Sequence, residues 1–177
     1  MKRILAIVSS PRKGNSEALV DQFIAGAESM GNQVEKIRLR EKNIGYCVGC
    51  GYCMKSGGVC AKKDDMAEIL AKMHEVDVIV LSTPVYKSCM CVQLKTLIDR
   101  MFAGNQTLKN KEFYFIATAA DSKASIESTM VAMEGCTYAI EGAKVAGKIY
   151  GEHAMMPGDV MNTPHRKRMR QVETADF

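Results

Sequence analysis

The sequence of 177 residues contains no apolar run approaching the roughly 20 residues that a membrane-spanning helix needs, which excludes one. Internal repeats, interdomain linkers and low-complexity tracts are also missing, so solenoid, fibrous and coiled-coil architectures fall away. No export signal is expected: the ILAIV run at residues 4–8 follows Lys2 and Arg3 but is too short for a signal-peptide core and leads into Ser9-Ser10-Pro11-Arg12. A cytoplasmic location is the expectation. Nor is either sign of charge in large excess, with 24 Lys and Arg against 20 Asp and Glu giving a formal net charge of +4. Four of those cations (Arg166, Lys167, Arg168 and Arg170) share one short stretch with no aromatic residue between them, so no nucleic-acid partner is implied. The cysteine count is seven, an odd number, and without an export signal it argues against a disulfide framework.

What is present is globular. Hydrophobic residues at 47% and charged residues at 25% are average, and a chain of this length buries roughly 70% of its unfolded surface in one domain. The expected domain spans residues 1–164, with residues 165–177 a charged, flexible tail.

Two periodicities alternate along the chain. Near-continuous apolar runs at residues 2–9, 76–81 and 112–117 read as buried strands, and residues 143–150 as another. Residues 33–39 alternate Val34, Ile37 and Leu39 with charges, as a strand near an edge does. Between them, residues 15–30, 64–74, 92–102 and 124–136 carry apolar positions at helical spacing, with Asp64 or Asp65 capping the second helix. Strands separated by helices require right-handed crossovers, which predicts an α/β, three-layer, doubly wound sheet of five parallel strands. In such sheets ligands bind beyond the carboxyl ends of the strands, which directs attention to the loops after strands one, three and four.

The first of these loops, residues 9–16, gathers hydroxyls, an amide, Arg12, Lys13 and the N–H groups of a helix start, a combination suited to a phosphate monoester. It is neither a Walker loop nor a GxGxxG turn. An ordinary Ser/Asn cap in a basic loop is the plain alternative. In the second loop, residues 82–88, Pro84 fixes the chain and Tyr86 offers an aromatic wall to a flat ring, unless Tyr86 simply packs on the surface.

Together the two loops resemble the flavodoxin-like family of NAD(P)H-dependent FMN reductases. Ser10-Pro11-Arg12 and Asn15-Ser16 stand where the family has its first signature, and Thr83-Pro84-Val85-Tyr86, Gln93-Leu94-Lys95 and Asp99-Arg100 where it has its second. Pro157-Gly158-Asp159-Val160 also looks like the family's closing segment. The resemblance implies a flavodoxin-like fold with strand order 2-1-3-4-5 and FMN as cofactor. By it, Ser10, Arg12, Asn15 and Ser16 hold the phosphate, Pro84, Val85, Tyr86 and Lys87 line the isoalloxazine ring, and the loop with Thr118 and Asp121 closes the other side. It also implies NAD(P)H as co-substrate and a homodimer or homotetramer. Ser9 replaces the family's usual glycine, and residues 118–122 lack the glycines relatives often carry there.

Four of the seven cysteines, Cys47, Cys50, Cys53 and Cys60, fall within fourteen residues at spacings of two, two and six. Gly49, Gly51, Gly57 and Gly58 let that backbone wrap closely, so the spacing suits thiolates converging on one centre. Zinc, or a metal-free loop of reduced cysteines, satisfies the same residues. The motif resembles that of iron-sulfur flavoproteins, a branch of the same family, which implies a [4Fe-4S] cluster and a ferredoxin-like partner. Cys89 and Cys91 read as packing beside a helix start or as a redox pair, Cys136 as a small core residue, and His74 as a helix-end cation. His153 lies in a late loop with reach toward a site. The expected activity is an FMN oxidoreductase passing electrons between NAD(P)H or a reduced carrier and a small or protein acceptor. Its rivals are a flavodoxin-type carrier without enzymatic turnover and a cysteine-metal sensor on the same scaffold.

Overall fold

The computed structural model describes residues 1–162, so the expected domain limit at 164 and the charged tail lie outside the described residues. Strand β1 (Arg3–Val8) leads through a loop into helix α1 (Asn15–Ser29), and β2 (Gln33–Arg38) follows after a turn at Gly31, whose φ of 81° suits glycine. A long segment then carries one short helix, α2 (Tyr52–Lys55), before α3 (Met66–Glu75). Next come β3 (Val78–Tyr86), the two-residue β4 (Cys89–Met90), α4 (Val92–Met101), β5 (Glu112–Thr118), α5 (Lys123–Glu134), β6 (Lys144–Gly151) and α6 (Asp159–Asn162).

Five long strands pair in parallel in the order β2-β1-β3-β5-β6, which is the expected 2-1-3-4-5 winding, and β4 is added to β3 as an antiparallel hairpin arm. The central strands alternate their side chains between two cores, as a period of two dictates. On one face Leu5, Ile7, Ile79, Leu81, Phe113 and Phe115 meet α3, α4 and α5 through Ile69, Leu97 and Met130. On the other, Ile4, Ala6, Val8, Val80 and Ile116 meet α1 through Leu19, Val20 and Phe23, with Val160 of α6 beside them. Both faces are dry, so the strands read as continuous apolar runs.

The second loop differs from the expectation. Strand β3 continues through Pro84 to Tyr86 and turns back at Lys87 and Ser88, whose φ values of 50° and 60° make a tight two-residue hairpin turn. Ser82 O accepts from Ser9 N at 3.1 Å, so the backbone groups of residue 84, two positions on, face the same side, beyond the end of β1. Proline there removes no ladder donor. The expected helix at residues 124–136 stops at Glu134, where Gly135 opens a single 3₁₀ turn. Among the described residues no helix is long and apolar enough to cross a membrane.

Candidate functional site

Because the five long strands are parallel, the loops after β1, β3, β5 and β6 all leave one edge of the sheet. Register places Pro84 opposite Thr118, and Thr118 opposite Gly151, so three of them start side by side. A Cβ on Gly151 would lie 2.6 Å from Thr118 Cγ2 and 2.9 Å from Leu19 Cδ1, so only glycine lets β6 pass there.

At the first loop, Ser9 is buried and its Oγ donates to Ser82 O at 2.6 Å. Ser10 Oγ accepts from Arg12 N at 3.3 Å and donates to Arg12 O at 2.6 Å, which pinches the loop into a turn. Arg12 and Lys13 are exposed at its tip. Helix α1 starts at Gly14 without a side-chain cap, leaving the N–H groups of its first turn, including that of buried Ser16, for an anion. The loop thus keeps the donors and countercharge a phosphate monoester requires.

Asn15 does something the sequence did not suggest. Its Nδ2 donates to Ala154 O at 3.1 Å and Met156 O at 2.8 Å, while its Oδ1 accepts from Gly158 N at 2.9 Å. The buried amide therefore ties the first loop to residues 154–158 across most of the chain length. The only sequence hint was that both segments belong to the same resemblance.

The remaining loop residues are graded in exposure. Pro84 and Thr118 are buried, Val85 is half-buried, and Tyr86, Lys87 and Asp121 are exposed. Asp121 accepts from Ser122 N at 2.7 Å, and Glu152 Oε2 accepts from Lys123 N at 3.0 Å, so carboxylates occupy the start of α5. Cys91 packs as a buried residue, its Sγ 3.0 Å from Ser9 Oγ and its N–H donating to Thr83 Oγ1, and it ties the hairpin to the first loop. Its neighbour Cys89 is exposed on β4. His153 is exposed, and His74 Nε2 meets Thr107 Oγ1 at 3.2 Å at the end of α3.

Glu17, in the first turn of α1, is a charged residue the sequence reading passed over. It is 1% exposed and accepts from Arg38 Nε at 2.6 Å and Arg40 Nη1 at 2.7 Å. Burial pushes its carboxyl up, but the hydrogen bonds and charges of Arg40 and Arg38 outweigh that and hold it at about 2.

The cysteine segment builds a second site. Cys47, Cys50, Cys53 and Cys60 are free thiols, and all four line one cavity of about 640 Å³. The opposite wall comes from Ile98, Arg100 and Phe102 at the end of α4 and from Gly135, Cys136 and Ala139 after α5. Gly58, at φ 91°, presses against Ala103, and a Cβ would sit 2.8 Å from that carbonyl oxygen. No three His, Cys, Asp or Glu side chains among the described residues converge on a single ion-sized centre. Cys136 is a fifth thiol at the cavity, and burial pushes its pKa up to about 12, so it is a neutral thiol.

Beneath the cavity lies Arg100, whose side chain is 1% exposed. Its Nη1 donates to Asp64 Oδ2 at 2.7 Å and to Gly45 O at 2.6 Å, and its Nη2 donates to Asp64 Oδ1 at 2.9 Å. Gly45 N in turn donates to Asp64 Oδ2 at 2.9 Å, so the chain entering the cysteine loop is clamped on both sides. Asp64 Oδ1 also accepts from Met66 N at 3.2 Å, so Asp64 caps the start of α3 as expected while pairing with Arg100, and Asp65 binds Asn43 N. Arg100 Nε is buried without a hydrogen-bond partner. Hydrogen bonding to Asp64 raises the guanidinium pKa against the opposing effect of burial. Four thiols around one cavity, over a buried donor that lacks an acceptor, fit the donor chemistry of a thiolate-bound centre carrying acceptor sulfurs.

A doubly wound parallel sheet of this winding, with its loops gathered at the carboxyl edge, defines a flavodoxin-like fold. Residues 2–152 match the NADPH-dependent FMN reductase family, and the chain belongs to that family. It is similar to an iron-sulfur flavoprotein of Archaeoglobus fulgidus, 32% identical over 165 residues that make up 92% of this chain and 75% of the relative. A second iron-sulfur flavoprotein of the same organism is 39% identical over 112 residues, 62% of this chain, and the match spans only half the length of that relative. One from Methanocaldococcus jannaschii is 37% identical over 132 residues, covering 72% of this chain and 67% of the relative. Among solved structures, a Bacillus anthracis azoreductase superimposes with a TM-score of 0.73 at 14% identity, over 98% of this chain and 96% of the other. A flavone reductase superimposes with a TM-score of 0.71 at 19% identity, over 98% of this chain and 60% of the other. These two likenesses establish the flavodoxin-like fold.

Proposed function

We propose that the chain is an FMN-dependent oxidoreductase that moves electrons between NAD(P)H or a reduced ferredoxin-like carrier and a small or protein acceptor, with a [4Fe-4S] cluster held by Cys47, Cys50, Cys53 and Cys60. The observation that carries this reading is the placement of all four thiols of the compact motif on one cavity, above a buried guanidinium nitrogen that lacks an acceptor. The relatives named iron-sulfur flavoproteins support it. A mononuclear zinc site needs its ligand atoms about 2.3 Å from one centre, whereas a four-iron cluster is itself large and holds its thiolates well apart.

When bound, FMN accepts hydride and passes electrons singly or in pairs, and a cluster carries single electrons onward. The chain's own part is to bind and orient. Ser10, Arg12, Asn15 and Ser16 shape and charge the phosphate loop, with Ser10 setting its turn and Asn15 fixing it to residues 154–158. Pro84, Val85, Tyr86 and Lys87 supply the ring wall on a rigid hairpin, and Thr118 and Asp121 border it at the end of β5. No side chain is required as nucleophile. Exposed Tyr46, Val48, Tyr52, Phe102 and Tyr138 offer apolar surface for assembly into a homodimer or homotetramer.

The test is a visible spectrum of protein purified without oxygen, with iron, acid-labile sulfide and zinc measured on the same sample and NAD(P)H consumption followed with FMN present. Flavin bands over a broad shoulder near 400 nm, with about four irons and four sulfides per chain, are expected. Flavin bands with neither metal nor sulfide would remove the cluster, and colourless protein that FMN does not stabilise would remove the flavin role.

A further inference from the structure

Arg100 is the buried charge for which the flavin chemistry has no use. Its two terminal nitrogens are engaged by Asp64 and Gly45, yet Nε, buried within a side chain that lines the thiol cavity, has no acceptor. A buried N–H of a charged group left unpaired costs more than an ordinary hydrogen bond gains, so this donor calls for an acceptor. Cys60, the last thiol of the motif, lines the same cavity as Arg100. A neutral thiol is a weak acceptor, whereas a thiolate bound to iron is negatively charged and a good one.

We infer that Arg100 is a positioning residue of the sulfur centre, donating from Nε to the Cys60 thiolate and thereby favouring the more negative, reduced state of the centre. This rests on the cluster reading above. The Asp64 fork fixes the guanidinium plane, and Nη1 to Gly45 O holds the entry to the cysteine loop, so one side chain sets both the loop's position and the sulfur's electrostatics. Hydrogen bonds to cluster and ligand sulfurs are among the terms that set iron–sulfur potentials.

The holoprotein and Arg100→Lys are compared, a substitution that keeps the positive charge but removes the Nε donor and the planar fork. Iron and sulfide are counted first, and the potential of the cluster is then measured by anaerobic spectroelectrochemistry. The expected result is a reduction equilibrium about tenfold less favourable in the variant, which for one electron is about 59 mV more negative. Should Arg100→Lys fail to fold, the wild-type protein answers alone: grown on ¹⁵N-arginine and reduced, it shows a ¹⁵N coupling in the pulsed electron paramagnetic resonance spectrum of the cluster. A wild-type cluster whose potential does not change in Arg100→Lys, or that shows no ¹⁵N coupling, overturns the role of Arg100 and leaves the cluster standing. Wild-type protein without iron and sulfide overturns both.

Discussion

Glu17 illustrates what a single residue can hide from a sequence. Its carboxylate gains its partners from Arg38 and Arg40, 21 and 23 residues away, and only the β1–α1–β2 crossover brings them together. Held at about 2 when folded and near 4.5 when unfolded, the group binds fewer protons in the native state, so its contribution is full above about pH 4.5 and is lost as the pH falls through 2. That difference is worth about 3 kcal/mol, reduced to about 2 kcal/mol by solvent at guanidiniums that are 31% and 23% exposed. Glu17→Gln is therefore expected to lower the unfolding free energy by about 2 kcal/mol at pH 7 and by much less at pH 2.5, measured by urea denaturation at each pH. An equal loss at both values would assign the effect to packing. Asn15 makes the complementary case. Its place in the first loop was legible, but its three bonds to residues 154–158 were not, because nothing local to either segment encodes the other.

At the scale of elements, the sequence was a good guide wherever period alone decided. Every long strand and every helix of ten or more residues starts within two positions of its expected place, the central strands because, dry between two helical layers, they must be apolar throughout. The hairpin of β3 and β4 was not legible. Pro84 suggested that the strand had ended, whereas a strand that has outrun its neighbour on one side loses nothing by a proline facing that side. Nor do Lys87 and Ser88 carry the usual Asn-Gly signal of a tight hairpin. Their left-handed backbone gives a direct test. Ser88 donates nothing from its side chain to a described partner that the turn depends on, and its carbonyl, which accepts from Ser128 Oγ, is unchanged by substitution. Ser88→Gly is expected to stabilise the protein by about 1 kcal/mol, seen as a rise in the midpoint of thermal unfolding. A fall would mean that the serine side chain itself supports the turn.

At the scale of the whole molecule, the two candidate sites were unequally readable. The loops at the carboxyl edge follow from topology once the strands are assigned, so their clustering was predictable from the order of elements. The cavity beside the cysteine segment was not, because its far wall joins the end of α4 to the turn after α5, two places brought together only by the shared core of α3, α4 and α5. The carboxyl-edge site draws on four parts of the chain: the first loop, the hairpin, the end of β5 and residues 154–158. A ligand contacting all four binds the folded state and not the unfolded chain, so it must stabilise the entire cooperative unit. Adding FMN to flavin-free protein at about 100 times its dissociation constant is expected to contribute about 2.7 kcal/mol, which in a domain of this size raises the thermal midpoint by about 5–10 °C. The gain should grow with the logarithm of FMN concentration, and riboflavin, which lacks the phosphate, should give a smaller shift because the uncapped start of α1 and Arg12 would have no anion to bind. Equal shifts for the two flavins would place the phosphate outside the first loop.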